Sequence, residues 1–497
     1  MSKAEFMYPP GPSSTFSPKL INNLLKDPLN TLRNISDKYG EISHFKIGNR
    51  HIFLINNPDY IEKILIYNTR NFKKGLRLQT AKKLLGEGLV TSEEKKHENQ
   101  RKIIQPLFLP KKIASYRQII IDEGQLMCKA WKDGSIVDIH KEMMKVTLKI
   151  ICKSVLGYEL NSTEEQKFTK AFEISKKYFK RLQHPIGQIL DHVPILPKVV
   201  ESREAVNTID SIVYRLIREK KKIIQNSLDE HKPKTEDDLL SRLLQSQFTV
   251  PTNTSSDYIN AKTNMENTAS VDEINNELSM NDLQIRDNVI TMLVAGHETT
   301  ANVLTWTYYL LSQYPQIEQK MFEEIDSVIS SNETKITENQ AIRIPTVRDL
   351  PKLKYVEKVL RESLRIYPPV WSLGRLVEED YLIDKYKIPK GSSIIMSQYV
   401  MHHDSRFYVA PDEFNPDRWT DEFKRHLPRF SYFPFGGGIR GCIGEQFSWQ
   451  EGILLLATIS RNWTMSIVPK QKIKLDPGIT LNPKNGIKMK LIYRNRD

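Results

Sequence analysis

The residues with the most chemical consequence lie in segment 435–444, which reads Phe-Gly-Gly-Gly-Ile-Arg-Gly-Cys-Ile-Gly. Backbone can close tightly around Cys442 here, because glycine tolerates positive φ and has no Cβ to block approach. An apolar run follows (Phe447, Trp449, Ile453, Leu454, Leu455, Leu456), so Cys442 is expected just before a helix N-terminus. Unpaired N–H groups and the macrodipole at such a place favour an anion and lower a thiol's pKa. A thiolate presented this way suits a soft metal, and haem iron is one candidate.

Simpler readings compete. A glycine-rich turn with a structural cysteine is the default for a loop standing alone, since unpaired cysteines are among the most buried residues. Gly436-x-Gly438-x-x-Gly441 also matches a dinucleotide-binding fingerprint. Pro434 interrupts any strand leading in, and no acid stands near the expected spot about 20 residues on, so that reading is rejected.

The second chemical segment is Ala295-Gly296-His297-Glu298-Thr299-Thr300. A glycine inside a helix costs about 1 kcal/mol relative to alanine, which suggests that something flat or bulky approaches there. The plain alternative is a helix with polar residues on its solvent face. A zinc-protease reading fails, because Ala301 occupies the second histidine position. His297 is read as a surface residue or one behind the site.

The elements that must position these residues read as mostly helical. Segment 40–57 alternates, with turn signals at Gly48-Asn49 and Asn56-Asn57-Pro58, and predicts a hairpin. Residues 59–246 read as helices broken at Pro185, Pro194 and Pro197. Segment 247–281 is rich in Thr, Asn and Ser and reads as a mobile surface insertion without chemistry. Ser279-Met280-Asn281-Asp282 fits a capping box, and a long helix should run from about Asp282 to Tyr314-Pro315. Helices are expected over 316–331 and 353–367, and strands within 381–398. No internal repeat and no second domain is marked.

Composition narrows the class. The 497 residues can bury a sizeable core. Three cysteines, Cys128, Cys152 and Cys442, show no paired spacing, which argues against a disulfide framework or zinc site and fits a reducing compartment. Residues 1–12 contain no apolar run long enough for a signal peptide or membrane span, and neither does any later segment. The net charge of +13 allows nucleic acid, an anionic surface or an acidic protein as partner. The basic residues are scattered without a basic-aromatic motif, so no nucleic acid is expected.

Taken together, Phe435-x-x-Gly438-x-Arg440-x-Cys442-x-Gly444 resembles the haem-binding signature of the cytochrome P450 monooxygenases, with five residue types fixed over ten positions. Three further motifs occur in the family's order. Ala295–Thr299 resembles the acid-alcohol segment, Glu362-x-x-Arg365 the helix pair, and Phe414-Asn415-Pro416-Asp417-Arg418-Trp419 the proline-aromatic segment. Pro9-Pro10-Gly11-Pro12 resembles the hinge that follows the anchor of microsomal relatives. Without the anchor, a cytoplasmic protein with no stable membrane attachment is expected.

The resemblance implies a mainly α fold with a smaller β region, a triangular helical prism enclosing haem b (iron protoporphyrin IX). Cys442 would ligate the iron, within a loop that includes Phe435 and Gly436. Glu298 and Thr299 would be the acid and alcohol that deliver protons to the oxygen being reduced, with Ala295 and Gly296 bordering its pocket. Glu362, Arg365 and Arg418 would buttress the Cys loop, and His402 would be structural. The haem propionates would draw on Arg440, Arg375, Arg101 and His97. His97 stands where the family has Trp, so the aromatic packing of that motif is lost.

The implied reaction uses two electrons and O2 to insert one oxygen atom into a hydrophobic small molecule. The electrons would come from a separate ferredoxin or flavodoxin, docked on a basic face carrying Lys352, Lys354, Lys358, Arg361 and Lys102. Segments 72–89, 185–197, 294–299 and 370–373 are the expected pocket walls. Two other classes stay open: a rearranging or peroxide-using enzyme on the same fold, and a non-catalytic haem-binding sensor. The intact Glu298–Thr299 pair favours monooxygenation over both.

Overall fold

The computed structural model describes residues 7–12, 18–183, 185–229, 237–248, 280–330 and 345–494. Helices dominate and the strands form small sheets, as the sequence reading expects. The chain divides into two compact units, each built from separate stretches. The larger comprises Met1–Thr80, Ile113–Ile150 and Ala295–Asp497, and the smaller Ala81–Lys112 and Ile151–Val294.

In the larger unit a five-stranded sheet runs in the order Ile42–Ile47, Arg50–Ile55, Ser393–Met396, Leu373–Val377, Phe72–Lys74. The first two strands form the expected hairpin, with Ile42 opposite Ile55 and Gly48 at positive φ in the turn. Arg50–Ile55 pairs parallel with Ser393–Met396, and the remaining neighbours are antiparallel. Alternate side chains bury one face, so Phe53, Ile55, Phe72, Val377, Ile394 and Met396 share a core. A three-stranded sheet joins Ile136–Asp138, Lys488–Tyr493 and Trp463–Ile467. Trp463–Ile467 and Lys488–Tyr493 do alternate, Trp-Thr-Met-Ser-Ile and Lys-Met-Lys-Leu, a strand signal that the sequence reading did not use.

The long helix is Asp282–Gln313, and the next helix starts at Pro315. Its cap differs from the expectation. Asn281 Oδ1 accepts the Gln284 N–H at 2.9 Å while Gln284 Oε1 accepts the Asn281 N–H at 2.8 Å. The reciprocal pair therefore sits two residues later than Ser279–Asp282, because an Asn–Gln pair serves the same geometry as Ser–Asp. The helix is buried nearly all round, although it mixes apolar residues with many polar ones. Within the larger unit its polar groups are pinned individually. Thr147 Oγ1 donates to the His297 carbonyl at 3.0 Å, His140 pairs with Asn302 at 3.0 Å, and Trp306 Nε1 donates to the Leu481 carbonyl at 3.0 Å.

In the smaller unit, helices Ser162–Leu182 and Pro197–Asp229 supply most of the core. Asn161 and Glu164 form a full capping box at the start of the first. Pro185 and Pro197, expected as breakers, each begin a helix, where a missing N–H costs nothing. Glu87 N–H donates to Asp287 at 2.7 Å and Leu89 N–H to Asn288 at 3.0 Å, which holds the turn after residue 85 on the long helix. Of the expected insertion 247–281, Gln247 and Phe248 end helix Leu239–Phe248, Met280 is buried, and Asn281 is the cap. Residues 249–279 lie outside the described residues.

Candidate active site

Cys442 stands two residues before Gly444, the N-cap of helix Glu445–Ser460, as the apolar run predicts. The loop closes on itself. Cys442 N–H donates to the Phe435 carbonyl at 2.9 Å, Gly441 N–H to the Gly438 carbonyl at 2.9 Å, and Gly436 N–H to the Phe433 carbonyl at 3.0 Å. Gly438 has φ +69°, and a Cβ there would lie 2.0 Å from the Leu65 carbonyl oxygen. Only glycine allows the loop to press so closely on segment 63–67. Phe435 packs against Trp449 on the following helix, ring centroids 5.7 Å apart.

The three cysteines differ in setting. Cys128 and Cys152 are buried, and burial pushes the Cys128 thiol up to about 12 and raises that of Cys152 as well. Neither can supply a thiolate at neutral pH. Cys442 is exposed, at the mouth of a helix N-terminus.

A buried polar network lies behind the loop. Glu362 is wholly buried and accepts from Arg365 Nε at 2.9 Å and Nη2 at 2.8 Å, from Arg418 Nε at 2.9 Å, from Asn415 N–H at 3.0 Å and from Trp419 Nε1 at 2.8 Å. Arg365 also donates to the carbonyls of His402, Pro411 and Glu413 at 2.8, 2.6 and 2.9 Å. His402 carries the connection to the loop, since its Nε2 accepts the Phe433 N–H at 3.1 Å. Burial holds the His402 imidazole far below its ordinary pKa, which leaves it neutral and able to accept. The Glu362–Arg365–Arg418 assembly thus forms as the sequence suggests. Trp419 is a donor that the sequence reading missed, although it directly follows Arg418.

On the long helix the accessible surface is selective. Between residues 285 and 307 nearly every side chain is buried, yet Ala295, Gly296 and Thr299 are partly exposed. Spacing i, i+1, i+4 puts all three on one face. Glu298 is fully buried beside this strip, and Thr299 Oγ1 donates to the Ala295 carbonyl at 2.8 Å. Thr300 and Val303 share one narrow gap with Phe435, Trp449 and Gly452, so this helix and the Cys loop are neighbours. His297 is buried, which removes the surface reading for it.

These features fit a haem. An exposed soft ligand, a helix face of small residues and nearby cations are the donor set and cradle that such a group needs. Arg440 in the Cys loop donates to the Thr69 and Phe72 carbonyls at 3.1 and 3.0 Å. Arg375 is buried in strand Leu373–Val377 and donates to the Gly374 carbonyl at 2.9 Å. His97 and Arg101 lie one turn apart on helix Glu94–Ile104 of the smaller unit, His97 buried and Arg101 half-buried.

Two sequence expectations change. Segment 185–197 was expected to wall a pocket, but Ile189, Leu190, Val193 and Ile195 are exposed, at 69, 41, 38 and 81%. The apolar content of a short helix and turn gave no signal of which side it faces. Arg361 was placed on an exposed basic face. It is half-buried, stacked 4.6 Å over Trp449 and 5.6 Å from Trp419, and paired with Glu357 at 2.8 Å. Lys352, Lys354 and Lys102 are exposed, and Lys358 is half-buried.

The geometry agrees with the comparisons to known proteins. The family model described as Cytochrome P450 matches residues 9–491. Cyclooctatin synthase of Streptomyces melanosporofaciens is 29% identical over 462 residues, covering 92% of this chain and 90% of that protein. Pentalenene oxygenase of Streptomyces avermitilis is 28% identical over 453 residues, 91% of this chain and 90% of that one. The chloroplastic carotene epsilon-monooxygenase of Arabidopsis thaliana is 28% identical over 483 residues, 92% and 80%. The crystal structure of the haem domain of a cytochrome P450DA mutant superposes with a TM-score of 0.77 at 23% identity, covering 98% of both chains.

A family match over nearly the whole chain, on this fold, makes the protein a haem-dependent oxidoreductase. The chain belongs to the cytochrome P450 family, and it is an enzyme of the P450 monooxygenase class. Among the described residues, no helix is long and apolar enough to cross a membrane.

Proposed function

We propose that this protein inserts one oxygen atom from O2 into a hydrophobic isoprenoid substrate, using haem b held by Cys442 and electrons from a separate ferredoxin or flavodoxin. Haem supplies the O2 chemistry, and the thiolate's electron donation favours O–O cleavage. The chain's own residues do the rest. Cys442 would be the ligand, and its loop is kept in shape by the Phe433, Phe435 and Gly438 carbonyls and by the neutral His402 ring. Arg440 and Arg375 would supply positive charge to the propionates, a role the family resemblance extends to Arg101 and His97, and Phe435 and Gly436 would belong to the loop that presents Cys442. Ala295 and Gly296 leave the helix face bare where O2 must fit.

Glu298 and Thr299 move the protons. The Thr299 hydroxyl bonds back to its own helix and can turn outward without breaking a tertiary contact. Glu298 sits one residue away, buried, as a proton source. Positioned acid–base groups of this kind contribute roughly 10²–10⁴-fold.

The single observation that carries the reading is the accessible Ala295–Gly296–Thr299 strip on an otherwise buried helix, in the same unit as exposed Cys442. The substrate class draws on relatives whose names concern pentalenene and carotene. The exposed Lys352, Lys354 and Lys102 support an acidic donor protein, and a cytoplasmic location is part of the same reading. The test is turnover with NADPH, a ferredoxin and its reductase under isotope-labelled O2. One labelled oxygen atom per product molecule is expected. Turnover with peroxide alone, or unlabelled product, would replace this reading with the peroxide-using or rearranging one.

A further inference from the structure

Arg77 lies in the first turn of helix Leu76–Leu85, and its guanidinium has an unusual setting. It stacks 4.5 Å over the Trp371 ring. Its Nη2 donates to the Gly478 carbonyl at 2.6 Å, and its Nη1 reaches Ser372 Oγ at 3.4 Å. All of these partners are uncharged.

Several other enclosed arginines are matched. Arg286 is paired with Asp210 and Asp287, and Arg365 and Arg418 share Glu362. Arg33 and Arg406, nearer the surface, also have carboxylate partners. Carboxylates raise the pKa of Arg33, Arg286 and Arg406. Arg77 goes the other way, down to about 10, and burial is the whole cause. A charge crowded this closely without a counter-ion is costly, and proteins keep one where a ligand supplies the partner.

The side chain is nevertheless only half-buried. The guanidinium itself is stripped of most solvent and held among neutral groups. Its neighbours point to which wall it belongs to. Trp371 and Ser372 belong to the segment expected to wall the substrate pocket, and so does Arg77 itself. Gly478 sits in the turn between strands Leu475–Pro477 and Leu481–Pro483.

We propose that Arg77 is a carboxylate-binding residue on this wall. A guanidinium presents a planar fork of donors that matches a carboxylate edge. The carboxylate has two possible sources, the acid end of an amphiphilic substrate or a haem propionate. The assignment of the wall rests on the proposed function, whereas the unmatched charge does not.

The experiment compares dodecanoic acid, methyl dodecanoate and dodecanol on the holoenzyme, read by the shift in haem absorption. If the source is substrate, the acid binds at least tenfold more tightly than the ester or alcohol, Arg77→Leu abolishes that preference, and Arg77→Lys keeps part of it. If the source is a propionate, the three bind alike and Arg77→Leu loses haem to apomyoglobin severalfold faster than the wild type. Calorimetry of the same acid–ester pair on the holoenzyme reads the substrate arm without turnover or the haem spectrum, so it is independent of the monooxygenase reading, and Arg77→Gln replaces the Leu variant should that fail to fold. The proposal is overturned if acid and ester bind alike and the Arg77 variants hold haem as firmly as the wild type.

Discussion

Behind the Cys loop, Glu362 receives five hydrogen bonds, and Arg365 spends donors on Glu362 and three backbone carbonyls. Around the long helix and Arg77 the bonding is sparser. Thr299 bonds only within its helix, and among the described residues neither the Arg77 charge nor fully buried Glu451 is paired with an opposite charge. The difference separates scaffold from chemistry. A buried polar group that is fully matched holds a shape, whereas one left unmatched waits for a ligand, a proton or a turn of a side chain.

The comparison breaks most sharply at Glu362. Glu362→Ala leaves two guanidinium groups facing each other without their anion, and removing one partner of a buried pair costs about 3–5 kcal/mol. Denaturant unfolding should show a loss of that order together with loss of haem uptake. A variant that unfolds like the wild type would remove the buttress role.

On the sparser side, Thr299→Ala should leave stability unchanged, because the hydroxyl makes no tertiary bond. Coupled product formation should fall roughly 10²-fold. Peroxide measured against NADPH consumed tests this, and unchanged coupling would take Thr299 out of the mechanism.

Glu451 sharpens the contrast through pH. Burial pushes its carboxyl up to about 8, with a hydrogen bond from the Thr300 hydroxyl acting in the opposite direction. The raised value means that the folded state holds the proton while the unfolded chain has already released it. Stability therefore falls as pH rises from the ordinary carboxyl range through about 8, by at most about 1.4 kcal/mol per pH unit. Glu451→Gln should flatten that slope in unfolding curves taken at several pH values. His403 acts in the acid direction, because burial lowers it to about 4. Its contribution is intact above the ordinary histidine range and is lost as pH falls toward 4.

The smallest effect is expected at Arg361. Its stacking on Trp449 contributes about 1 kcal/mol, so Arg361→Ala should lower the unfolding midpoint slightly and leave haem content intact. A large change in reduction rate by ferredoxin without a change in stability would return Arg361 to the docking face.

Much of the matched region was legible in the sequence, because backbone demands leave fixed residue types. Gly436 and Gly438 are required by positive φ, and Glu362, Arg365 and Arg418 occur at recognisable spacings. The hairpin at 42–55 and both ends of the long helix were equally readable, apart from a cap two residues off. Less of the sparser region could be read. Arg77 is a lone arginine in a polar helix, and only the fold brings Trp371 and Gly478 to it. Glu451 looks like any acid in a helix until burial is known. Ile189 and Ile195 look like core until the turn that carries them is seen to face outward.

The most direct test of the central claim, that Cys442 is a thiolate ligand to haem iron, is the absorption spectrum of the reduced protein under carbon monoxide. The account predicts the strongly red-shifted Soret band of a thiolate-ligated ferrous carbonyl, and its loss in Cys442→Ser. A histidine-type band in the wild type, or an unaltered spectrum in Cys442→Ser, would contradict it.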